Sequence, residues 1–365
     1  MPESTPVIER VTASAFRIPT DAPEADGTLS WEQTTLVVVE VSAAGCCGLG
    51  YTYSGAPAAH LINDLLAGLL IGIDAFAIPL AWDKMFAAVR NLGSRGLCAN
   101  AISAADVALW DLKARCLGRP LIDVLGASRD AVPIYGSGGF TSYSPERLTD
   151  QLVGWVEDDG CRWVKMKIGT DPEKDVARVK AARAAIGSAG LFVDANGAYA
   201  RKQALGFAER FDEFGVSWFE EPVSSDDLDG LRLIRDRAPA GMEIAAGEYG
   251  YEPRYFHRML AAGAVDVIQA DATRCCGITG FLRAAATADA ANIPLSAHTA
   301  PALHLHPCCA APRLRHIEWF HDHVRIEQML FDGAPKPNQG TIRPDLSRPG
   351  HGLEFKRDDA ERFAI

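Results

Sequence analysis

Residues 164–169 alternate between apolar and basic side chains, in the order Val-Lys-Met-Lys-Ile-Gly. In an extended strand, successive side chains point to opposite faces, so Lys165 and Lys167 share one face and the apolar residues share the other. Two lysines facing solvent would be ordinary. This strand is different because short apolar runs follow it at intervals of about 20 to 30 residues, each ending in one charged residue. These charged residues are Asp194, Glu220, Glu248, Asp271, His298 and Glu318.

From residue 132 onward, predicted strands alternate strictly with amphipathic helices such as 172–186 and 202–214. The predicted strands are residues 132–137, 163–168, 191–194, 217–220, 243–248, 265–271, 294–298 and 316–320. Short strands that alternate with helices in this way predict an α/β fold with a parallel barrel closed on itself. An open, doubly wound sheet is the competing arrangement, but no Gly-x-Gly-x-x-Gly turn follows the first strand.

The first 130 residues show a different order, with strands first and helices afterwards. Residues 6–18 and 34–41 are predicted strands, while 19–31 and 48–55 are predicted loops, the first of them mobile. The predicted helices cover residues 58–70, 82–91 and 101–116. We therefore predict an N-terminal α+β domain (1–130), a barrel domain (131–330) and a C-terminal segment (331–365) that returns to the N-terminal domain.

Composition narrows the class of protein. The chain has 365 residues, 48% of them hydrophobic and 23% charged, with a net charge of −11. That charge argues against a nucleic-acid or anionic-membrane surface, and no apolar stretch approaches the roughly 20 residues of a membrane span. Residues 1–10 contain two glutamates and no apolar core, so we expect no signal peptide. The nine cysteines lack the spacing of zinc ligands, and we expect reduced thiols in a cytoplasmic protein.

Three carboxylates mark a predicted metal site. Asp194, Glu220 and Glu248 end three successive predicted strands, and the working residues of such barrels lie at the C-terminal ends of the strands. Each carboxylate alone could cap a helix. Three together repel one another unless a cation neutralises them, and hard oxygen ligands with room for water and substrate favour Mg²⁺.

Candidate acid and base groups lie on either side of these carboxylates. Repulsion between Lys165 and Lys167, together with a nearby cation, is expected to lower the pKa of one lysine enough for it to act as a base. On the far side of the rim, Asp271 can hold one nitrogen of His298 and leave the other free to move a proton. A histidine at a strand end is often purely structural, but the acidic neighbour and the opposing base favour catalysis.

These residues carry a resemblance to a known family. The motifs are Lys-x-Lys (Lys165, Lys167), Asp-x-Asn (Asp194, Asn196), Glu-Glu-Pro (Glu220, Glu221, Pro222), Gly-Glu (Gly247, Glu248), Asp271 and Ser-x-His (Ser296, His298). In this order and spacing they resemble the enolase superfamily, specifically its mandelate racemase subgroup. The resemblance covers the whole barrel, whereas in the first 130 residues only the strand-then-helix layout agrees.

The resemblance implies a modified (β/α)₇β barrel with residues 1–130 as an N-terminal capping domain, and Mg²⁺-assisted removal of the proton α to a carboxylate. By that analogy Asp194, Glu220 and Glu248 are the metal ligands. Lys167 is one acid/base group, and His298, oriented by Asp271, is the other. Lys165 and Glu318 are expected to contact the substrate carboxylate, with Asn196 nearby. Tyr53, in the predicted loop 48–55, is a further candidate for substrate contact, with a surface aromatic as the equal alternative, and the role of Glu221 stays open.

Two outcomes follow from such a reaction. Dehydration of an acid sugar to a 2-keto-3-deoxy acid is favoured, because dehydratases are the larger set in this subgroup. Racemisation or epimerisation of a 2-hydroxy acid is the alternative reaction. A hypothesis from a different functional class is a barrel without catalytic activity that binds a sugar acid. The expected partner is a small carboxylate, while self-association is left open.

Four further histidines have the alternating spacing of metal ligands. They are His304, His306, His321 and His323. No acidic cluster is assigned to join them, so packing or loop hydrogen bonds are favoured over a metal role. For His321 and His323, which follow the last predicted strand, contact with the substrate or the C-terminal segment is left open.

Overall fold

The computed structural model describes residues 5–365, and residues 1–4 of the N-terminal stretch lie outside the described residues. Its largest sheet contains eight parallel strands in consecutive order, and the last pairs with the first to close a barrel. These strands are β4 Val132–Gly138, β5 Trp163–Lys167, β6 Gly190–Asp194, β7 Val216–Glu220, β8 Glu243–Ala246, β9 Val267–Ala270, β10 Leu295–Ala297 and β11 Leu314–Phe320. The predicted barrel is confirmed, with strand ends shifted by a few residues.

Seven helices lie between the barrel strands, as a (β/α)₇β barrel requires, and an eighth, α13 His321–Leu330, follows the last strand. The seven are α6 Pro145–Glu157, α7 Pro172–Ala185, α8 Arg201–Asp212, α9 Leu228–Arg235, α10 Pro253–Ala261, α11 Gly277–Ala290 and α12 Pro301–Ala310. The predicted helices 172–186 and 202–214 correspond to α7 and α8. Each helix covers the outer face of the sheet, so the strands are buried on both faces.

Aromatic side chains fill the lower part of the barrel interior. Tyr135, Phe192 and Trp218 pack together there with small and β-branched residues. Phe192 and Trp218 are stacked with ring centroids 5.0 Å apart. The amine of Lys165 lies 5.4 Å from the Tyr135 ring centroid, directly above this layer. The apolar layer therefore closes one end of the barrel and leaves the charged side chains at the carboxyl ends of the strands.

The N-terminal domain is an antiparallel sheet of β1 Arg10–Ala25, β2 Ser30–Ala43 and β3 Cys46–Tyr53. Its helices are α1 Pro57–Leu61, α2 Ala67–Leu70, α3 Ile78–Ala88, α4 Leu97–Cys116 and α5 Leu121–Leu125. A π-helical turn, Ile62–Leu66, joins α1 to α2, so the predicted helix 58–70 exists with one irregular turn. The predicted helices 82–91 and 101–116 correspond to α3 and α4.

Both loops predicted in this domain are wrong. Residues 19–31 are mostly strand, because β1 and β2 continue as a hairpin in which Glu24 pairs with Trp31 and Ala25 with Ser30. Residues 48–55 are mostly β3, whose glycines allow a close approach of α4. A Cβ at Gly50 would lie 2.1 Å from the Ala104 carbonyl oxygen, so only glycine fits there.

The C-terminal segment contacts both of the other parts. β13 Thr341–Ile342 pairs with β4, and β12 Phe331–Asp332 pairs with β14 Glu354–Phe355. After α14 Arg357–Ala360 and the 3₁₀ turn Glu361–Phe363, the Ile365 N–H donates to the Ala15 carbonyl at 3.1 Å. The segment thus reaches the capping sheet, while the proposed domain boundaries at residues 130 and 330 stay a prediction.

Each of the nine cysteines is a free thiol, as expected for a reduced protein. Among the described residues, no helix has the length and apolar character needed to cross a bilayer.

A buried carboxyl group joins the capping domain to the barrel. Asp106, in α4, accepts hydrogen bonds from the Thr279 N–H at 2.9 Å and the Thr279 hydroxyl at 2.7 Å, at the start of α11. Burial raises the pKa of Asp106 to about 7, although the Thr279 hydrogen bonds oppose the rise. The folded state therefore holds a proton that the unfolded chain releases near pH 4.

We expect this raised pKa to make folding stability fall as pH rises from about 4 to about 7, because the stabilising proton is lost over that range. In Asp106→Asn this part of the pH dependence is removed, and the thermal midpoint changes less between the two pH values. The control is Asp83→Asn, an exposed position in α3, which should keep the wild-type slope. An unchanged slope in Asp106→Asn would contradict the assignment.

Candidate active site

Both lysines of β5 point into the barrel and are buried, as their shared face predicts. Lys167 donates to Asp194 Oδ2. The Lys165 amine lies 2.5 Å from Glu220 Oε1, 2.8 Å from Glu318 Oε1 and 3.6 Å from Asp194 Oδ2. The two ammonium groups therefore lie within a ring of carboxylates contributed by neighbouring strands.

The acidic triad assembles where the sequence places it. Asp194 and Glu220 end β6 and β7 and pair directly in register, while Glu248 follows β8 by two residues. One oxygen from each of the three carboxylates lies within 4.8 Å of the others. Gly247 makes the turn before Glu248 possible, because its φ is 137° and a Cβ would lie 2.2 Å from the Gln269 carbonyl oxygen.

The donor set fits a divalent cation. Three buried oxygens near the triad make no hydrogen bond: Glu248 Oε2, Glu221 Oε1 and Asn196 Oδ1. Burial and the neighbouring Asp194 raise the pKa of Glu220 to about 8, and burial and Glu248 raise that of Glu221. Buried, mutually repelling carboxylates with free oxygens are what a hard cation such as Mg²⁺ satisfies. Glu221, whose role the sequence left open, lies beside this site.

The predicted histidine and aspartate pair is also assembled. His298 follows β10, and its Nδ1 lies 2.8 Å from Asp271 Oδ2 at the end of β9. Its Nε2 lies 3.2 Å from Glu248 Oε2, a charge contact without hydrogen-bond geometry. Burial lowers the pKa of His298, but Glu248 and Glu318 raise it more, to about 9. Asp271 thus fixes one ring nitrogen and leaves the other toward the triad.

The prediction of a lowered lysine pKa depends on the cation. The sequence predicted that repulsion between the two lysines, together with a nearby divalent cation, lowers the pKa of one of them; that combined effect stays a prediction, and without the cation the carboxylates decide the direction of the shift. Burial does lower the pKa of Lys167, but the adjacent Asp194 carboxylate raises it more, and the net shift is upward. The same holds for Lys165, where Glu220 and Glu318 outweigh burial. The carboxylates that surround the lysines dominate over the mutual repulsion of the two amines.

Sequence reasoning missed Arg274, which lies three residues after Asp271. Its Nη1 lies 3.1 Å from Glu248 Oε1, and its Nε lies 3.6 Å from Asp271 Oδ2. The guanidinium also covers the Tyr249 ring at 5.2 Å. Arg274 therefore joins a triad carboxylate to the partner of His298. Its position in a turn after a strand end was the available signal.

These residues open into a cavity of about 350 Å³ between the barrel and the capping domain. Lys167, Asn196, Glu248, Arg274 and His298 line its barrel side. On the capping side, Tyr53 lines the cavity and stacks on His323, with ring centroids 3.4 Å apart. Lys165 and Glu318 are fully buried beneath the lining residues, where Glu318 also accepts a hydrogen bond from Ser137 at 2.5 Å.

The tip of the β1–β2 hairpin is docked on the barrel rim. A Cβ at Gly27 would lie 2.2 Å from the Ala195 carbonyl oxygen and 2.7 Å from that of Ile168. The Thr141 N–H donates to the Ala25 carbonyl at 2.8 Å, and the Thr141 hydroxyl to the Asp26 carbonyl at 3.1 Å. The expectation of a mobile loop is replaced by a hairpin that covers the cavity.

The other histidines have mixed outcomes. His304 Nε2 accepts the Ala272 N–H of the turn after β9 at 2.7 Å, which confirms a loop hydrogen bond, and His306 Nδ1 accepts the Ile122 N–H at the start of α5 at 3.1 Å. The statement that no acidic cluster joins His321 is wrong. Asp21 and Glu24 of β1 each offer an oxygen within 4.8 Å of a His321 ring nitrogen, because the hairpin crosses the start of α13.

Comparison with known proteins agrees with this architecture. Residues 11–126 match the model of the mandelate racemase / muconate lactonizing enzyme N-terminal domain, and residues 147–360 match the enolase C-terminal domain-like model. A curated relative, 3,6-anhydro-alpha-L-galactonate cycloisomerase of Streptomyces coelicolor, is 33% identical and the match covers 98% of this chain and 100% of the relative. L-talarate/galactarate dehydratase of Salmonella typhimurium is 31% identical, with 89% and 85% covered.

Solved structures are also similar. A mandelate racemase/muconate lactonizing enzyme-like protein from Rubrobacter xylanophilus is 53% identical, with a TM-score of 0.96 over 99% of this chain and 100% of that one. A racemase from Streptomyces coelicolor with bound magnesium is 32% identical, with a TM-score of 0.92 over 98% and 100%. Magnesium therefore occurs in a structure of the same fold, in agreement with the acidic triad.

The triad predicts stabilisation by magnesium. We expect MgCl₂ at about 100 times its dissociation constant to stabilise the wild type by roughly 2 to 3 kcal/mol, measured as a rise in the thermal midpoint. In Asp194→Asn the rise should be lost. The matched control is Asp21→Asn, which removes a carboxylate from the group of Asp21, Glu24 and His321. This variant should keep the rise in the thermal midpoint. Loss in the control and retention in Asp194→Asn would place the cation elsewhere.

The docked hairpin predicts the effect of a single methyl group. In Gly27→Ala the added Cβ cannot fit against the two carbonyl oxygens, so the tip must move away from the rim. We expect hydrogen exchange of residues 20–30 to become faster while the thermal midpoint changes little, since the tip is a local unit. Gly68→Ala, with open space around its Cβ in α2, is the control. Unchanged exchange in Gly27→Ala would show that the tip is not held by this contact.

Proposed function

Because this chain belongs to the enolase superfamily, with the N-terminal domain of the mandelate racemase/muconate lactonizing enzymes, we propose that it removes the proton α to the carboxylate of an acid sugar and eliminates water. The product is a 2-keto-3-deoxy acid. One observation carries the proposal. Lys167 and His298 line the same cavity, Asp271 holds the His298 ring from behind, and the acidic triad lies between the lysine and the histidine.

The reaction is difficult because negative charge accumulates on the substrate. Removing a proton next to a carboxylate places further negative charge on an anionic group. When bound, Mg²⁺ would stabilise that charge and oppose the negative field of Asp194 on Lys167, which favours the neutral amine. Lys165 is the second positive group and, with Glu318, is proposed to contact the substrate carboxylate from below. Asn196 and Tyr53, which line the cavity, are proposed to hold the rest of the substrate.

The two acid/base groups are proposed to act on opposite faces of the reacting carbon. Lys167 ends β5 and His298 follows β10, and these strands are separated in the closed barrel by β11 and β4. Lys167 takes the α-proton. His298, which Asp271 holds in orientation, then gives a proton to the hydroxyl that leaves the neighbouring carbon. The hydrogen bond from the ring to Asp271 favours the protonated form of His298, which is the form that donates.

Isomerisation is the second candidate. A curated relative is a cycloisomerase, and a racemase from Streptomyces coelicolor has a similar structure. The same two groups support it, since one can remove a proton and the other return one to the opposite face. A catalytically silent sugar-acid-binding barrel is a weaker alternative, because every residue assigned to the metal and to proton transfer is present and assembled.

The proposal is tested with a panel of acid sugars in D₂O containing Mg²⁺. We expect exchange of the α-proton, seen by NMR, together with formation of a 2-keto acid in a colorimetric assay. Lys167→Met and His298→Asn should each abolish turnover while leaving the circular dichroism spectrum unchanged. His257→Asn, at a position in α10 on the outside of the barrel, is the matched control and should remain active.

Different outcomes separate the candidates. Exchange without a keto acid, with a change in optical rotation, would favour racemisation. Near-native turnover in either catalytic variant would remove that residue from the mechanism. No exchange with any acid would favour the silent barrel.

A further inference from the structure

The cavity has two chemically different walls. The barrel wall carries the positive groups, and each has an acidic partner: Lys167 has Asp194, and Arg274 has Glu248 and Asp271. The opposite wall comes from the β1–β2 hairpin. Among the described residues that line it, the hairpin contributes no lysine or arginine, and its one charged side chain is Asp26.

Asp26 is held firmly in this wall. Its Oδ1 accepts hydrogen bonds from the Thr28 N–H at 2.7 Å and the Leu29 N–H at 2.8 Å, which closes a turn at the hairpin tip. Its own carbonyl accepts from the hydroxyls of Thr141 and Thr170 on the barrel rim. The side chain is 8% exposed. A negative charge is therefore fixed at the mouth, and it cannot move away without undocking the tip.

The rest of this wall is neutral. The Trp31 indole N–H donates to Glu24 Oε2 at 2.8 Å, and the ring packs edge-on against Phe140 at 5.7 Å. Since its polar atom is already paired, Trp31 presents carbon surface to the cavity. Gln33 and Thr35, on the same face of β2, add an amide and a hydroxyl. Such a wall suits the C–H faces and hydroxyl groups of a polyol chain.

We infer that the substrate is a monocarboxylic sugar acid, an aldonate, whose far end is neutral and hydroxylated, and that Asp26 selects against a second carboxylate. The inference rests on the proposed function, because it assumes that the first carboxylate binds at the triad. Asp26 can accept hydrogen bonds from terminal hydroxyls. A carboxylate in their place would face a fixed like charge in a partly dehydrated cavity.

The size of the effect follows from that repulsion. Two unit charges about 5 Å apart at an effective dielectric constant near 20 repel enough to change kcat/KM by roughly 100-fold. We therefore expect the wild type to prefer the aldonate by about that factor over the aldarate of the same configuration. The measurement is the rate of α-proton exchange in D₂O with Mg²⁺, over pentonates and hexonates and their matching aldarates.

Two variants test the wall directly. Asp26→Asn keeps the acceptor for the turn and removes the charge, so the preference for the monoacid should fall at least about 10-fold. Gln33→Arg adds a cation to the same wall and should raise kcat/KM for the diacid. Glu32→Gln removes one charge from the same hairpin at an exposed position outside the cavity. As the matched control, it should leave the ratio unchanged.

The outcomes distinguish this inference from the proposed function. Exchange with acid sugars but a wild-type preference for the diacid would overturn the inference alone. So would an equal change of the ratio in Asp26→Asn and Glu32→Gln, or no change in Asp26→Asn. Absence of exchange with every acid would overturn the proposed function, and the inference with it.

Discussion

The structure depends on the convergence of carboxylates on two buried lysines at one end of a barrel. Lys165 alone contacts carboxylates from three other strands, β6, β7 and β11. Buried charges are costly unless they are paired, so this end of the barrel is stable only as a network. The acids outnumber the bases, and the surplus negative charge is what prepares the site for a divalent cation. The folded protein therefore holds an excess of negative charge at this end of the barrel, and a bound divalent cation would neutralise it.

The capping domain completes the site by covering it. The barrel supplies the charged groups, while the β1–β2 hairpin supplies the surface that covers the cavity and that, in our proposal, faces the rest of the substrate. The cover matters because charges act more strongly on one another in a medium of low polarity. The joint between Asp106 and Thr279 and the docked hairpin tip hold the two parts in one arrangement. Chemistry and selection are therefore assigned to different parts of the chain.

The barrel could be predicted because its strands carry a local signal, a short apolar run with a charged residue at its end. The triad and the His298–Asp271 pair followed, since parallel strands bring their carboxyl ends together. The hairpin could not be predicted, because residues 19–31 are rich in loop-forming types and their strand pairing comes from docking on the barrel. Arg274 gave only a weak signal, its position in the turn after a strand end, and the contact of His321 with Asp21 follows no pattern in the chain. The sign of the lysine pKa depends on how many acids converge, which only the folded arrangement shows.

The close contact of Gly27 with the barrel rim has a consequence for how proteins of this fold change their sequences in evolution. The hairpin tip is anchored by the missing side chain of Gly27 and by main-chain carbonyl groups that accept hydrogen bonds from Thr141 and Thr170 on the barrel rim. Gln33 and Thr35, which line the cavity, take no part in these contacts and can therefore be exchanged while the tip stays docked. New substrate preferences can therefore arise by substitution of a few residues in this hairpin, while the proposed catalytic residues of the barrel stay unchanged.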